Sequence, residues 1–389
     1  MRDGWRIEKF GGICDLKKGR KPRLTNTKEP NVNPYLVAKY LRGAEPTDFA
    51  FIEDKNSIPV TADEIIIICD GSNSGETFIG FDGILSSTMA KIVHGNNIKN
   101  KFLIYFLELM FEKFNSSKTG SAIPHLDLNA LRNQVLPVPP LPEQRRIVAI
   151  LDEAFEGIAT AKANAEKNLQ NAHEVFESHL NAVFSQRGEG WVEKPLIDYS
   201  IFVSTGPFGS LLHKSDYGNT GIPLVNPINI SGGFITPNNE KRVSNETAAR
   251  LTNYILKSGD VVVARRGDIG RCAKIGDRES GWLCGTGCFF VRPKSNLDGD
   301  FLAHLIRSNP YREKLEVAAS GATMLNLSNT SLSALRVAIP NIEIQRAILS
   351  QLNDLSDETQ HLESIYQQKL AALDELKQSL LHQAFNGGL

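Results

Sequence analysis

The sequence predicts an α+β fold in which two similar globular α/β domains are separated by two long antiparallel coiled-coil helices, with approximate two-fold symmetry from an internal duplication. Three observations predict it. The chain repeats itself, each repeat ends in a long apolar stripe at helical spacing, and short β-branched runs between Gly, Asp or Ser occur elsewhere. With 389 residues, 41% of them hydrophobic, the chain is long enough for several domains with cores of their own.

The duplication is clearest in the second half of each copy, where residues 120–184 align without a gap with residues 321–385. Identical pairs include Leu126/Leu327, Leu131/Leu332, Pro139/Pro340, Gln144/Gln345, Arg145/Arg346, Leu151/Leu352, Leu180/Leu381 and Phe184/Phe385. Upstream, "DEIIIICDGSNSG" matches "GDVVVARRGDIGR" across small gaps. We therefore predict a globular domain over residues 1–140, a central helix over 141–187, a second globular domain over 188–340 and a C-terminal helix over 341–389.

The globular parts combine strands and helices. The runs 65–68 and 261–263 are apolar and β-branched, which is typical of buried strands. The segments that begin at Phe102 and Phe301 have helical periodicity instead.

Both long helices carry an apolar seam. Its predicted members are Ile147, Leu151, Ala154, Ile158, Ala161, Ala165, Leu169 and Leu180 in the first helix, and Ile348, Leu352, Leu355, Leu362, Tyr366, Leu370, Leu373 and Leu381 in the second. Steps of four follow one another at places, so the seam departs from a strict heptad repeat. Because only a short segment follows the first helix before the second domain, we expect the helices to pair antiparallel over roughly 60 Å. The alternative is that each helix lies on its own domain.

A proline-rich stretch precedes the first helix in "PVPPLPEQRRIVAILDE", and a weaker copy, "AIPNIEIQRAILSQLND", precedes the second. Proline cannot continue a helix backwards, so we expect a stiff lead-in that fixes the angle at which each helix leaves its domain. A PxxP ligand for an SH3-like partner is the alternative interpretation.

Several function classes have no support in the sequence. No apolar run is long enough to span a membrane, and "MRDGWRIEKF" lacks the features of a signal peptide, so we expect a cytosolic protein. Five dispersed cysteines predict free thiols, and no metal site is expected, since Cys284 and Cys288 have no further ligands nearby. No phosphate-binding loop or nucleophile elbow occurs, so we predict no catalytic residues.

Local charge points to DNA although the formal net charge is only -1. Two similar domains held apart by a rigid helical spacer suit a DNA site with two halves. Glycine-containing basic loops approach phosphates, and Arg can also contact guanine. The candidate contacts are Lys17, Lys18, Arg20, Lys21, Arg23, Ser72, Asn73 and Ser74 in the first domain, and Ser210, His213, Lys214, Arg265, Arg266 and Arg271 in the second. A solvated surface charge is the alternative for each of them.

Three segments carry a resemblance to a known family: "LPVPPLPEQRRIV", "GDVVVARRGDIG" and the ending "LLHQAFNGG". Over its whole length, the chain resembles the specificity (S) subunit of type I restriction-modification systems. The resemblance implies that each globular part is a target-recognition domain for one half of a bipartite double-stranded DNA sequence, with the helices as spacer. It also implies two methyltransferase (M) subunits that bind S-adenosylmethionine, and motor-nuclease (R) subunits that use ATP and Mg²⁺. The S subunit itself binds no cofactor and is not catalytic.

Two other hypotheses stay open on the sequence. A duplicated scaffold that binds two copies of a protein partner would show no salt-dependent affinity for DNA. A stand-alone enzyme with its site in one domain would be active from either half.

Overall fold

The computed structural model describes residues 4–116, 124–236, 241–319 and 326–389, and it divides into two compact units. Unit 1 is Met1–Glu166 with Gln368–Leu389, and unit 2 is Lys167–Gln367. Each unit therefore combines one globular part with pieces of both long helices, whereas the division predicted from the sequence follows the helix ends. Positions 120–123 and 321–325 of the repeat alignment, with the predicted pair Gly120 and Gly321, lie outside the described residues.

The described strands of unit 1 are β1 (Arg6–Lys9), β2 (Cys14–Lys18), β3 (Leu24–Thr25), β4 (Val32–Leu36), β5 (Phe49–Phe51), β6 (Pro59–Val60), β7 (Ile65–Ile68), β8 (Thr77–Phe78), β9 (Gly83–Leu85), β10 (Met89–His94) and β11 (Val135–Val138). Its helices are α1 (Phe10–Ile13), α2 (Ala38–Leu41), α3 (Asn100–Ser116) and α4 (Leu128–Asn133). The first long helix is α5 (Leu141–Ser185).

The described strands of unit 2 are β12 (Val192–Pro195), β13 (Ser200–Thr205), β14 (Tyr217–Gly218), β15 (Ile222–Val225), β16 (Ile230–Ser231), β17 (Phe234–Ile235), β18 (Arg242–Val243), β19 (Val261–Ala264), β20 (Cys272–Lys274), β21 (Leu283–Cys284), β22 (Cys288–Pro293) and β23 (Arg336–Ile339). Its helices are α6 (Leu196–Tyr199), α7 (Asn245–Arg250), α8 (Gly299–Arg307), α9 (Asn309–Ala318) and α10 (Asn329–Ser333), with 3-10 turns at Gly209–Leu211, Lys214–Asp216, Pro227–Asn229 and Thr252–Tyr254. The second long helix is α11 (Ile342–Asn386).

The two units share the order of their main antiparallel sheet, which confirms the duplication, while their second sheets differ in strand number. Each has an antiparallel sheet, ordered β2-β10-β7-β8 in unit 1 and β13-β22-β19-β20 in unit 2. Each has a second sheet with one parallel pair, β4 with β9 in unit 1 and β15 with β21 in unit 2. A two-stranded sheet, β1 with β11 or β12 with β23, precedes each long helix.

The apolar strands predicted from the sequence lie between two hydrophobic layers. In β7, Ile65 and Ile67 belong to the core beneath α3, while Ile66 and Ile68 face the second sheet. In β19, Val261 and Val263 face the helices and Val262 faces the other side. A strand that is buried on both faces needs an unbroken apolar run instead of alternation, and this explains both sequences.

The long helices run antiparallel within each unit. In unit 1, Arg146 at the beginning of α5 donates to the Leu389 carbonyl at 2.7 Å, and Lys162 pairs with Asp374. In unit 2, His173 Nδ1 lies 3.6 Å from Glu363 Oε1. The repeat alignment relates Lys162 to Glu363 and Asp374 to His173, so one helix–helix pair recurs with its acidic and basic sides exchanged.

Each globular core is completed by the end of the helix from the other repeat. Phe385 of α11 packs on Phe102 in unit 1, with ring centroids 5.0 Å apart. Phe184 of α5 packs on Phe301 in unit 2 at 5.3 Å. The alternative that each helix lies on its own domain holds only for its first part, such as Ile147 and Leu151 of α5 in the core of unit 1. The last part of each helix packs on the domain of the other repeat.

Most predicted seam residues are buried or half-buried, but Leu362 is a correction. Its side chain is 41% exposed, whereas Thr359 one turn earlier is buried and bonds to the Leu355 carbonyl at 2.9 Å. Glu363 then faces α5 through the pair with His173. Successive steps of four turn the contacting stripe away from the heptad position that Leu362 occupies.

The repeated motif before each helix is explained by a buried glutamine. Gln144 Nε2 donates to the Asn97 and Pro139 carbonyls at 2.9 Å each, and its Oε1 accepts from the Lys99 amide at 2.8 Å. Gln345 makes the equivalent three bonds, including one of 2.8 Å to the Pro340 carbonyl. This side chain ties the proline lead-in to the loop before α3 or α8, which fixes where the long helix leaves its domain.

Candidate nucleic-acid interface

In each antiparallel sheet, two strands have their carboxyl ends at the same end of the sheet. In unit 1, β2 and β7 both pair antiparallel with β10, so they run parallel to each other and their carboxyl ends meet. In unit 2, β13 and β19 stand in the same relation to β22. We call this the loop edge, and define it by the segments that leave it, residues 19–23 and 69–75 in unit 1 and residues 206–216 and 265–271 in unit 2.

A glycine fixes where the first of these segments begins. A Cβ on Gly19 would lie 2.0 Å from the Ser86 carbonyl oxygen, and a Cβ on Gly206 would lie 2.0 Å from the Gly285 carbonyl oxygen. Only glycine permits such a close approach of two backbone segments. The variable loops of both units therefore start from one common point.

The loop edge of unit 1 carries a polar cluster centred on a carboxylate. Lys18 Nζ lies 3.0 Å from Asp70 Oδ2, and His125 Nδ1 lies 2.8 Å from Asp70 Oδ1. Asp70 also forms an isolated β-bridge with His125. The cluster thus presents a carboxylate acceptor flanked by two groups that can donate hydrogen bonds.

The predicted basic cluster of unit 1 spans the end of β2 and the loop that follows it. Lys17 and Lys18 lie on β2, whereas Arg20, Lys21 and Arg23 lie on the loop. All five side chains are exposed, while Gly19 and Pro22 are buried. The Arg23 guanidinium lies over the Phe51 ring at 3.9 Å from the centroid, and the Arg23 amide donates to Asp54 at 3.0 Å. The loop is therefore anchored at Pro22 and Arg23, and holds Arg20 and Lys21 outward.

The serine-rich turn after β7 is only partly available at the surface. Ser72 is exposed, and Asn73 is half-buried and donates to Glu76 at 3.5 Å. Ser74 is a correction, because its side chain is fully buried and its hydroxyl has no hydrogen-bond partner among the described residues. The turn that closes with the Gly75 amide on the Ile68 carbonyl directs Ser74 inward, so it cannot reach a ligand in this conformation.

The loop edge of unit 2 carries arginines where unit 1 carries the carboxylate. Arg265 Nε donates to Asn326 Oδ1 at 3.1 Å, and the adjacent Arg266 is exposed and forms an isolated bridge with Asn326. Arg271 is half-buried, with Nε donating to Asp268 at 3.2 Å. Since Arg266 occupies the position of Asp70 in the sheet, the two units present opposite charges at one place.

The predicted residues Ser210, His213 and Lys214 are exposed and lie on the 3-10 turns that follow Gly206. The His213 amide donates to Asp216 at 2.7 Å, which shapes the turn. At its end, Tyr217 approaches the loop edge, with its hydroxyl 3.4 Å from that of Thr286. This segment occupies the place of the basic loop in unit 1 but carries fewer charges.

Sequence reasoning missed two residues that the fold brings to the loop edge, His125 and Asn326. They are equivalent in the repeat alignment and stand next to the identical pair Leu126 and Leu327. The sequence signal that could have identified them is that the two residues differ within a stretch where the two repeats otherwise match. The fold also brings Arg307 and Arg312 beside Asp268, although no local motif marks them.

The described residues contain no group of three or more His, Cys, Asp and Glu side chains arranged to hold a metal ion. All five cysteines are free and buried, and burial raises the pKa of Cys69 to about 11, which keeps this thiol protonated at neutral pH. No described helix is long and apolar enough to cross a membrane.

Comparison with known proteins gives one consistent family. The model of the type I restriction modification DNA specificity domain matches residues 2–170 and 209–371. The specificity subunit of the type I restriction enzyme MjaVIII from Methanocaldococcus jannaschii is 28% identical over 375 residues, covering 91% of this chain and 87% of the relative. The EcoBI specificity subunit of Escherichia coli is 22% identical over 420 residues, covering 100% and 87%.

Solved structures agree at the level of the fold. A chain from a study of complex assembly and conformational transition of the type I R-M system has a TM-score of 0.80 at 20% identity, covering 100% of this chain and 99% of that one. The HsdS subunit from Thermoanaerobacter tengcongensis has a TM-score of 0.59 at 19% identity, covering 100% and 98%.

Proposed function

Because the chain belongs to the family of type I restriction-modification DNA specificity subunits, we propose that each unit reads one half of a bipartite DNA sequence and that the long helices set the gap. It is a DNA-recognition subunit and not itself an enzyme, as is typical of that family. Double-stranded DNA is therefore its primary ligand, and a cytosolic location remains a prediction that depends on this role.

The observation that carries the proposal is the loop edge with its different side chains in each unit. A carboxylate such as Asp70 accepts hydrogen bonds, which suits the exocyclic amino group of cytosine. An arginine such as Arg266 donates in a fork, which suits O6 and N7 of guanine. One scaffold that presents an acceptor in unit 1 and a donor in unit 2 suits two different half-sites.

Catalysis belongs to partner subunits in this proposal. Two methyltransferase subunits, which bind S-adenosylmethionine, would dock on surfaces that the duplication repeats, and motor-nuclease subunits would supply ATP- and Mg²⁺-dependent cleavage. Arg145 and Arg346 support two such surfaces. They are identical and exposed, and neither side chain has a hydrogen bond or ion pair within the described parts of the chain.

The first test is selection from a randomised duplex pool by the full chain, purified together with its methyltransferase partner, at two salt concentrations. We expect enrichment of a two-part motif with a fixed gap, and affinity that falls as salt rises. A stable complex that enriches no sequence would overturn the proposal in favour of the protein scaffold.

The spacer role has a separate test. Seven residues inserted after Lys167 and seven more after the equivalent Gln368 add about two turns to each helix and keep the paired faces in register. The gap in the selected motif should grow by about three base pairs while both halves stay unchanged. Changed halves with an unchanged gap would contradict the spacer role, and the same insertion in α5 alone is the control that should disrupt pairing.

A further inference from the structure

One cavity occurs in both units, in equivalent positions but with opposite charge. In unit 2 its wall includes Glu177, Asp268, Gly270, Arg271, Arg307 and Arg312. In unit 1 it includes Asn73, Gly75, Glu76, Glu108, Glu112 and Gln378. Glu177 and Gln378 are equivalent in the repeat alignment, and Arg271 and Glu76 occupy the same register beside β19 and β7. The equivalent cavities are thus lined by acidic side chains in unit 1 and mainly by basic side chains in unit 2.

The unit 2 cavity lies beside the loop edge, and a single carboxylate holds two of its arginines. Asp268 Oδ2 accepts from Arg271 at 3.2 Å, and Asp268 Oδ1 accepts from Arg312 at 2.8 Å. Arg271 also donates to the Pro227 carbonyl at 3.3 Å. One acid fixes two guanidinium groups and aligns them before a ligand arrives. Arg312 also lies 4.0 Å from Glu316 Oε1.

The third arginine has no ionic partner. Arg307 occupies the position of Glu108, which pairs with Lys377 in unit 1, but Phe176 stands in unit 2 where unit 1 has that lysine. Within the described residues, Arg307 makes no side-chain hydrogen bond or ion pair. Its guanidinium instead lies against Gly233, where a Cβ would meet Nη1 at 2.1 Å.

Gly233 belongs to a hairpin of unit 2 that forms the outer rim of the cavity. The two residues between β16 and β17, Gly232 and Gly233, have φ of +58° and +87°, the conformation of a type I′ turn. Phe234 beside them is 70% exposed and Ile228 is 73% exposed. The rim therefore offers backbone and apolar surface around a basic floor, which is common where proteins contact a nucleic-acid backbone.

We propose that this cavity of about 400 Å³ binds a phosphate group of the DNA backbone through Arg271, Arg307 and Arg312. Guanidinium groups match phosphate oxygens in a forked geometry, and three of them outnumber the two acids in the wall, Asp268 and Glu177. The contact rests on the proposed DNA function and adds a sequence-independent grip next to the base-reading edge. The acidic cavity of unit 1 repels the same ligand, so the grip exists in unit 2 alone.

The test uses the full chain with its methyltransferase partner and a 40-base-pair duplex of mixed sequence, since the contact does not depend on sequence. Arg307→Gln with Arg312→Gln should weaken binding about five- to tenfold and reduce the slope of log affinity against log salt by about one. Arg307→Lys should preserve the slope, because the charge remains. Arg336→Gln is the control, since this exposed arginine lies on β23, which belongs to the two-stranded sheet with β12 and not to the sheet that forms the loop edge.

Each outcome decides between named alternatives. An unchanged slope in a folded double variant would overturn the phosphate contact while leaving the DNA function intact. Inorganic phosphate that stabilises the parent chain but not the variant, with DNA binding unchanged, would show a site for the free ion and also overturn it. Loss of the methyltransferase partner on Phe234→Ser would assign the rim to protein docking. A parent complex that fails to bind any duplex would remove both this inference and the proposed function.

Discussion

Units 1 and 2 share a scaffold but distribute their charges differently over it. Both have the same strand order in the main antiparallel sheet, the same glycine contact at the loop edge and the same buried glutamine before the long helix. In unit 1 the exposed cations lie at the end of β2 and on the loop that follows it, and the cavity beside α3 is acidic. In unit 2 the loop after β13 has few charges, and the equivalent cavity contains three arginines.

This difference shows which features of the repeat serve structure and which serve recognition. Some residues that stay identical, such as Gln144 and Gln345, make the same hydrogen bonds inside each unit. Residues that change in kind, such as Asp70 against Arg266, lie where a ligand can approach. A duplicated chain thus separates the two roles within one molecule, and mutations at equivalent positions can test the separation.

The largest expected effect concerns the shared glutamines and should be equal in both units. Gln144→Ala and Gln345→Ala each remove three hydrogen bonds of a buried side chain, to one backbone amide and two backbone carbonyls. Each change should cost about 3 kcal/mol of local stability. Hydrogen exchange measured by mass spectrometry should show the loss in unit 1 for the first variant and in unit 2 for the second.

Gln351→Ala, an exposed glutamine of α11, is the control and should leave exchange unchanged. A large loss from one glutamine and none from the other would mean that the two lead-ins are not structurally equivalent, which would weaken the comparison.

The second-largest effect is a loss of stability at low pH. It should occur in unit 2 alone, because His304 stands where unit 1 has Tyr105. Burial, together with the positive charge of the nearby Arg307, lowers the pKa of His304 to about 4. Between this pKa and the ordinary value near 6.5, the unfolded state binds the proton and the folded state does not. The free energy of unfolding is therefore highest above about pH 6.5, where His304 is neutral in both states. It falls as the pH falls, by about 2 kcal/mol between pH 7 and pH 5.

The His304→Phe variant should lack this loss, since phenylalanine packs against Phe176 without titrating. Hydrogen exchange of unit 2 peptides at the two pH values measures the effect, with unit 1 peptides as an internal reference. Equal acid sensitivity in the parent and the variant would show that another group controls it.

The sequence was informative wherever a signal repeats along the chain. The duplication, the buried strands and the seams follow from periodicity, and most seam residues are buried, such as Leu151 and Leu352, or half-buried. Leu362 was wrong because accumulated steps of four turn a helix face gradually, which a fixed register does not capture. Ser74 was wrong because a turn's direction depends on backbone contacts that its own residues do not reveal.

The cavity in unit 2 was beyond sequence reasoning for a different reason. Its arginines come from a turn and two helices, and Glu177 comes from a long helix far away in the chain. Arg271 belongs to the basic loop predicted from the sequence, but Arg307, Arg312 and Glu177 stand in no local motif. Only the fold shows that Arg271, Arg307 and Arg312 surround one space, and only the comparison with unit 1 shows that their charge is a departure from the duplicate.

A smaller free-energy effect should appear in base recognition, and it should concern the half-site that unit 2 reads. Arg266→Ala removes a forked donor at the loop edge of unit 2, so selection from the randomised pool should relax at one position of one half-site, by about 1 to 2 kcal/mol. The other half-site should remain unchanged. Arg278→Ala removes an exposed arginine away from the loop edge and should change neither half. Relaxation in both halves would mean that Arg266 acts on overall binding instead of on base identity.

The smallest effect tests whether the loop after β2 supplies in unit 1 what the basic cavity supplies in unit 2. Arg20→Gln with Lys21→Gln removes two exposed cations that make no side-chain hydrogen bond or ion pair within the described residues. If each contacts one phosphate, the slope of log affinity against log salt should fall by about two, with binding to a mixed duplex weakened about fivefold. Lys9→Gln with Lys99→Gln removes the same charge from β1, which is outside the sheet that forms the loop edge, and from the segment before α3, and should leave the slope unchanged. Because both phosphate contacts ignore base sequence, neither variant should alter the selected motif. A changed motif would place Arg20 or Lys21 against bases and would make the division of roles between the loop and the loop edge incorrect.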